Sequence, residues 1–486
     1  MKVGRVIMSE KIVSSAVKGG KKDLTMARKF GFAIGTLADS IPANLFNIFF
    51  LVFAVDFAGL NPAFAGVISS IAILWDGITD PIIGYLSDRS KQKGNGGRRN
   101  FMIRAIVPLG VSIFLLYRMI EASQEMINGY YLLMALFFWT MYTLFNIPYT
   151  ALGAELTSDY DERSSLRFIA HIFTLVGLLV ASSFTMVIVG SALESGASPA
   201  QAWQKVAIIY SLVVMCAGAI SWFATNGMES QVEEQITQKV RNPFGELFDV
   251  LKLKSVRIVG AALVLYAIGF TTSLSSIPFL MSNVLGFDGQ MIGSYFALNS
   301  VLGLLSIPVV NLVVKKLGKR QAYTVVILVA AVLQIICFGA NIGSFLGLTI
   351  FGVFQGLGNN IFFPMTYALS YDCCDIDLYV NGKKREGVIM SVTGLMQKCG
   401  YALGATVVGF SLSYFGYDAS LKVQSAETLK GMEMTLYVVA PLFFIASALM
   451  MSRFKINRER YCALKEGLKA KKAGIDHSTE GFKDLL

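Results

Sequence analysis

Long apolar runs separated by short polar stretches recur along the chain from Gly31 to Phe454. Within each run the apolar character is continuous rather than alternating, which predicts helices; about 20 such residues cross a hydrocarbon core of about 30 Å. A transmembrane barrel would need strands alternating apolar and polar residues. The interruptions predict twelve helices, near 31–55, 63–87, 101–120, 129–152, 167–192, 204–226, 257–282, 289–314, 321–342, 346–371, 387–414 and 431–453.

The longest internal polar stretch, MESQVEEQITQKVRNPFGELFDVLKLKS, falls after the sixth helix and divides the chain in two. This predicts a tail over 1–29, a six-helix bundle over 30–226, a central loop over 227–256, a second bundle over 257–453 and a basic tail over 454–486. PFGELFDVLKL within the loop has the pattern of a short amphipathic surface helix. The halves resemble one another: PIIGYLSDR (Pro81 to Arg89) has a counterpart in PVVNLVVKK (Pro308 to Lys316), and ALGAELTSDYDER a looser one in ALSYDCCDIDLYVNGKKR. Repeats of this kind build many transporters.

Composition narrows the class further. Of 486 residues, 54% are hydrophobic and 15% charged, against about 25% charged in soluble domains. The net charge of +10 does not indicate nucleic acid, because Lys and Arg gather in the loops after even-numbered helices. That distribution is an orientation signal and predicts cytoplasmic termini in a multi-pass cell-membrane protein. The six cysteines lack metal-ligand spacing and are expected to be unpaired thiols.

Polar residues inside the spans are the candidate chemistry. Asp76 and Asp80 in WDGITDPIIGYLSDRS are four apart, which puts both on one helix face about 5–6 Å from each other. The aligned second-half positions are Gly303 and Ile307, so the repeat does not itself demand carboxylates. Two neighbouring carboxylates in a low-dielectric bundle cannot both stay charged unaided, and a shared cation or proton resolves the conflict. Thr79 and Thr143 could add oxygen ligands. Lys398, the lone cation in VIMSVTGLMQKCGYALGATVVG, would find its partner in Asp76 or Asp80 across the interface between halves. Asp39, Asn44, Asn146, Arg167, His171, Gln355, Asn359 and Asn360, with Trp75, Trp139, Tyr142 and Tyr149, are expected to line a polar, aromatic cavity suited to a sugar.

These stretches resemble the glycoside–pentoside–hexuronide:cation symporters of the major facilitator superfamily. The resemblance rests on GFAIGTLADS, AVDFAGLNPAFAG, WDGITDPIIGYLSDRS followed by GRR, YTLFNIPYTALGAEL, and DCCDIDLYVNGKKREG with SVTGLMQK. It implies an all-α fold of twelve transmembrane helices in two pseudo-symmetric six-helix bundles. It further implies that Asp76, Asp80 and Thr143 bind sodium or a proton, that Lys398 lies between the cation and sugar sites, and that Asn146 occupies a sugar-binding place. Beside these, Thr79 is a candidate cation ligand, Asp39, Trp75, Tyr149, Arg167 and Gln397 are candidate sugar-binding residues, and Asp88, Arg89, Arg98 and Arg99 a candidate gating loop. Thr79 replaces a family asparagine, Asn146 stands where the family has a carboxylate, the first-helix carboxylate of the family aligns with Ser40, and the helix-five arginine aligns with Ala170.

The expected function is sodium- or proton-coupled symport of a glycoside or related sugar by a monomer in the lipid bilayer, with no cofactor beyond the coupling ion. The alternative is cation-coupled transport of an amphipathic, lipid-like solute. An enzyme is disfavoured, since no Ser/His or Cys/His constellation stands out.

Overall fold

The computed structural model describes residues 24–92, 97–157, 160–228, 248–339, 344–383, 385–421, 423–473 and 478–485. Among them, eleven helices are long and apolar enough to cross a membrane. These are α1 Met26–Phe57, α2 Pro62–Gln92, α3 Gly97–Leu116, α4 Gln124–Glu155, α5 Ser165–Glu194, α6 Pro199–Ala224, α7 Lys254–Val284, α8 Gly289–Leu317, α9 Lys319–Gly339, α10 Phe345–Asn381 and α12 Ala426–Ser452. The twelfth, α11 Glu386–Tyr414, has 29 residues, a rise of about 43 Å at 1.5 Å per residue. Gln397, Lys398 and its glycines and hydroxyls make it less apolar than the rest. Its main packing partners are α7 and α2, so it can carry polar groups that lipid would reject.

The two halves repeat each other in backbone detail. α1 ends in a π turn over Phe53–Phe57, and α7 in another over Leu280–Val284. The Ala58 and Leu60 amides donate to the Phe53 and Ala54 carbonyls; Leu285 and Phe287 donate to Leu280 and Met281 in the same way. Gly59 (φ 75°) and Gly286 (φ 64°) make the following turns, in a left-handed conformation that costs glycine little. Pro81 and Pro308 lie inside α2 and α8 at the same relative position.

Near the ends of the bundles that carry no termini, here called the distal end, the halves touch closely. A Cβ on Gly409 would lie 2.5 Å from the Pro62 carbonyl oxygen, and one on Gly289 would lie 2.1 Å from that of Met186. Ser70 Oγ donates to the Ala402 carbonyl at 2.6 Å, and Ser275 Oγ to that of Asn47 at 3.1 Å. Towards the terminal end the seam opens: Gly387 and Gly394 of α11 have nothing within 4 Å of where a Cβ would stand. The apolar cores follow suit. One runs from the first bundle into the distal parts of the second through Phe279, Phe296, Val408 and Leu436. The other, with Tyr266, Ile361, Leu369 and Ile389, stays inside the second bundle.

One expected boundary is corrected. α10 continues to Asn381, ten residues past the expected 371, because its acidic residues are partnered rather than solvated. Asp372 meets Lys319 at 2.8 Å and Asp377 meets Arg385 at 2.6 Å; Gly382, at φ 63°, then ends the helix. The expected basic tail over 454–486 is largely helical. It forms α13, Arg458–Lys472, which buries Leu464 and Leu468 against the second bundle and bonds Asp375 through Tyr461 and Lys465. Of the expected surface helix in the central loop, residues 243–247 lie outside the described segments; 248–251 are helical.

Candidate functional site

The centre of the molecule is built where α2, α4 and α11 meet. Pro81 inside α2 leaves the carbonyl four residues earlier without its helical donor; that residue is Gly77, between the two acids. Gly77 also faces α11: a Cβ there would stand 3.2 Å from Leu395 and 3.4 Å from the Lys398 Cδ. The bare backbone lets the lysine stem lie across α2 and place its ammonium between the carboxylates. Lys398 Nζ donates to Asp76 Oδ2 at 2.6 Å and also bonds Asp80 Oδ2. Thr143 Oγ1 donates to Asp76 Oδ1 at 2.6 Å, and Thr79 Oγ1 lies 3.3 Å from Thr143 Oγ1.

Exposure orders this cluster. The side chain of Asp76 is 6% exposed, those of Lys398 and Asp80 25% and 28%, so Asp76 is its closed side and Asp80 the side within reach of solvent. Two carboxylates against one ammonium leave one negative charge over, with two threonine hydroxyls adjoining. Oxygen donors of this kind suit a hard cation, and the surplus of one charge matches a monovalent ion or a proton.

A second cluster shares α4. Asp39 on α1 accepts from Tyr142 Oη at 2.6 Å and from Asn146 Nδ2; Asn146 also donates to Tyr142 Oη at 3.0 Å. Tyr142 and Asn146 are one turn apart. Tyr142 precedes Thr143, so adjacent residues of one helix hold Asp39 on one side and Asp76 on the other. Ser40 instead turns to α5, donating to the Thr174 carbonyl at 2.8 Å. Asp39, one residue out of register with the family pattern, is therefore the acid that faces α4.

The family described as MFS/sugar transport protein matches residues 31–458. The chain belongs to this family. As a major facilitator transporter it is similar in sequence to the inner membrane symporter YicJ of Escherichia coli, 23% identical over 89% of this chain and 92% of that one. It is also similar to the isoprimeverose transporter of Lactiplantibacillus pentosus, 23% identical over 90% of each. The sodium-dependent lysophosphatidylcholine symporter 1-A of Danio rerio is 23% identical, covering 90% of this chain and 87% of that one. In fold it resembles a bacterial homologue of the lysosomal transporter Spinster in an inward-facing, unoccupied conformation, with a TM-score of 0.65 and 14% identity over 89% of this chain and 99% of that one.

Other expected site residues of the transporter make hydrogen bonds outside these clusters. Tyr149 is buried in the first bundle, stacked on Phe32 and Phe145, its hydroxyl 2.7 Å from Thr36 Oγ1 and donating to the Phe32 carbonyl. It packs α1 against α4. Trp75 donates to Thr140 Oγ1 at 2.8 Å. The α10 amides are occupied within their own bundle: Gln355 by Gln334, Asn359 by Tyr266, Asn360 by Gly303 and Ser306. Gln397 donates to Tyr401 Oη at 2.6 Å. Arg167 and His171 are exposed on α5, with Arg167 3.5 Å from the Thr150 carbonyl oxygen.

In the expected gating loop, Arg98 donates to the Ala151 carbonyl at 3.1 Å and Arg99 to that of Trp222 at 2.7 Å, tying the start of α3 to α4 and α6. Arg89 is exposed; the side chain of Asp88 lies outside the described residues. Sequence reasoning missed Tyr142 as the donor to Asp39. Its spacing of four from Asn146 was the available signal.

Proposed function

We propose that this transporter carries a glycoside or related sugar together with a sodium ion or a proton, by alternating access of the bundles 30–226 and 257–453 about the linker 227–256. The observation that carries this reading is Lys398 lodged between Asp76 and Asp80, with Thr143 on the first acid. The ammonium occupies the place of a cation. An incoming sodium ion or proton takes over the charge it neutralises and frees Lys398 to turn towards substrate. Asp39 and Asn146, held by Tyr142, supply acceptor and donor groups for sugar hydroxyls. Because α4 carries both clusters, filling one alters the footing of the other, and linkage makes that coupling reciprocal.

The names of relatives, an isoprimeverose transporter and a putative glycoside/cation symporter, support sugar as the cargo. The Lys and Arg distribution supports cytoplasmic termini in the cell membrane, which makes the described state inward-facing. One chain contains both bundles, so a monomer suffices, and the coupling ion is the only cofactor required.

The test is uptake into proteoliposomes across a glycoside panel plus a lysolipid, with sodium and proton gradients imposed separately. Asp80→Asn is expected to abolish gradient-driven accumulation while the protein still inserts. Normal cation-stimulated accumulation with that substitution would overturn the reading, and a response to the lysolipid alone would reassign the cargo.

A further inference from the structure

The two π turns that mark the repeat end in different residues. Asp56 stands in the turn that closes α1, and Asn283 in the matching turn of α7. Between them comes Tyr417. α11 finishes in a Schellman-type stop, with the Tyr417 amide donating to the Leu412 carbonyl at 2.9 Å and Gly416 at φ 69°. That turn sends Tyr417 back over the distal end of the bundles. Its ring stands edge-on to Phe279 of α7, with centroids 5.6 Å apart, and its hydroxyl donates to Asp56 Oδ1 at 2.6 Å. The Asn283 amide donates at 3.1 Å to the carbonyl of Phe279, the residue that this ring packs on.

The bond crosses from one bundle to the other. With its hydroxyl on Asp56 and its ring on Phe279, one side chain joins the corresponding corners of both halves. Tyr417 is 9% exposed, so this contact forms with water largely excluded. None of its members touches the central clusters. The arrangement exists only while the distal ends of α1 and α7 are together, and those ends must separate for the alternate state to form.

We infer that Tyr417 is the clasp of the distal gate: its bond to Asp56 selectively stabilises the distal-closed state and sets how often that gate opens during transport. Hydrogen bonds to charged groups hold a closed state by a factor of roughly ten to a hundred. Loss of this one shifts the balance towards opening by that factor.

Hydrogen–deuterium exchange on the full chain in nanodiscs, without sugar or sodium, tests this. Tyr417→Phe keeps the ring on Phe279 and removes only the hydroxyl. Segments 53–62 and 280–290 are expected to exchange roughly ten- to a hundredfold faster than in the wild type, while 26–31 and 371–381 at the other end do not accelerate. Asp56→Asn retains an acceptor without the charge; it should show the same pattern with a smaller change, and it carries the test if the phenylalanine variant does not accumulate. Unchanged exchange in the distal segments overturns the proposal, as does equal acceleration at both ends. The measurement involves neither sugar nor ion, so its failure leaves the symport reading standing, and the failure of that reading leaves the clasp standing.

Discussion

Lys398 on α11 and Asp76 on α2, 322 positions apart in the chain, meet at 2.6 Å and join the two bundles at their centre. The pair sits where the seam between bundles changes from closed to open, so its charge state and the separation of the bundles are linked. Breaking a buried pair by deleting one partner costs about 3–5 kcal/mol, because the remaining charge stays uncompensated.

Lys398→Met should therefore lower thermal stability in the absence of cations and abolish coupled uptake. The same variant should gain more stability than the wild type when sodium is added or pH is lowered, because the ion no longer competes with an ammonium. Melting curves with and without sodium check this; an equal gain in both proteins would show that ion and lysine do not share the place. Exchanging the charges, with Asp76→Lys and Lys398→Asp together, should recover part of the activity lost in each single variant.

Asp39 holds two donors from one helix, Tyr142 and Asn146. Tyr142→Phe and Asn146→Ala each remove one. Each should weaken sugar binding by about 1–3 kcal/mol, the usual effect of leaving one buried partner unsatisfied, and leave cation-dependent thermal stabilisation in place. Calorimetric titration with sugar reads the first effect and melting curves the second. Loss of both functions together would mean that the clusters on α4 are one site rather than two.

The distal seam leaves no room for side chains at Gly289, Gly293 and Gly409. A Cβ on Gly293 would fall 2.4 Å from the Ser183 carbonyl oxygen, a clash with backbone that no rotamer relieves. Gly293→Val should therefore exclude the distal-closed state. Net transport is expected to fall at least about a hundredfold, the scale of a population shift of a few kcal/mol, while sugar still binds from the distal side. Transport and binding assayed on one preparation separate these outcomes. Wild-type transport would show that the seam is looser than its geometry.

The tail helix is a structural part of the second bundle. Leu464 is fully buried, and replacing such a leucine by alanine costs about 2–5 kcal/mol. Leu464→Ala should make α13 more sensitive to limited proteolysis, with sugar and cation binding retained. Protection equal to that of the wild type would show that the polar bonds to Asp375 hold the helix unaided.

The sequence by itself determined the membrane fold, the twelve spans and the opposed charges on α2 and α11. Hydrophobic runs of membrane length and ionisable residues within them are local signals, and their energetic cost in lipid is large enough to be read without neighbours. It also placed Asp76, Asp80, Thr143 and Lys398 together, since isolated charges in a bundle must find one another. Tertiary structure alone decided which polar groups are already satisfied. Tyr149 reads like a cavity aromatic yet packs on Phe32, and the DCCDID run reads like a loop yet extends α10 because Lys319 and Lys465 reach it from elsewhere. Asp56 and Tyr417, 361 positions apart, have no local pattern that links them. Hydrogen-bond partnership between distant segments depends on how helices rotate and lean against each other, and packing of the whole chain sets those angles.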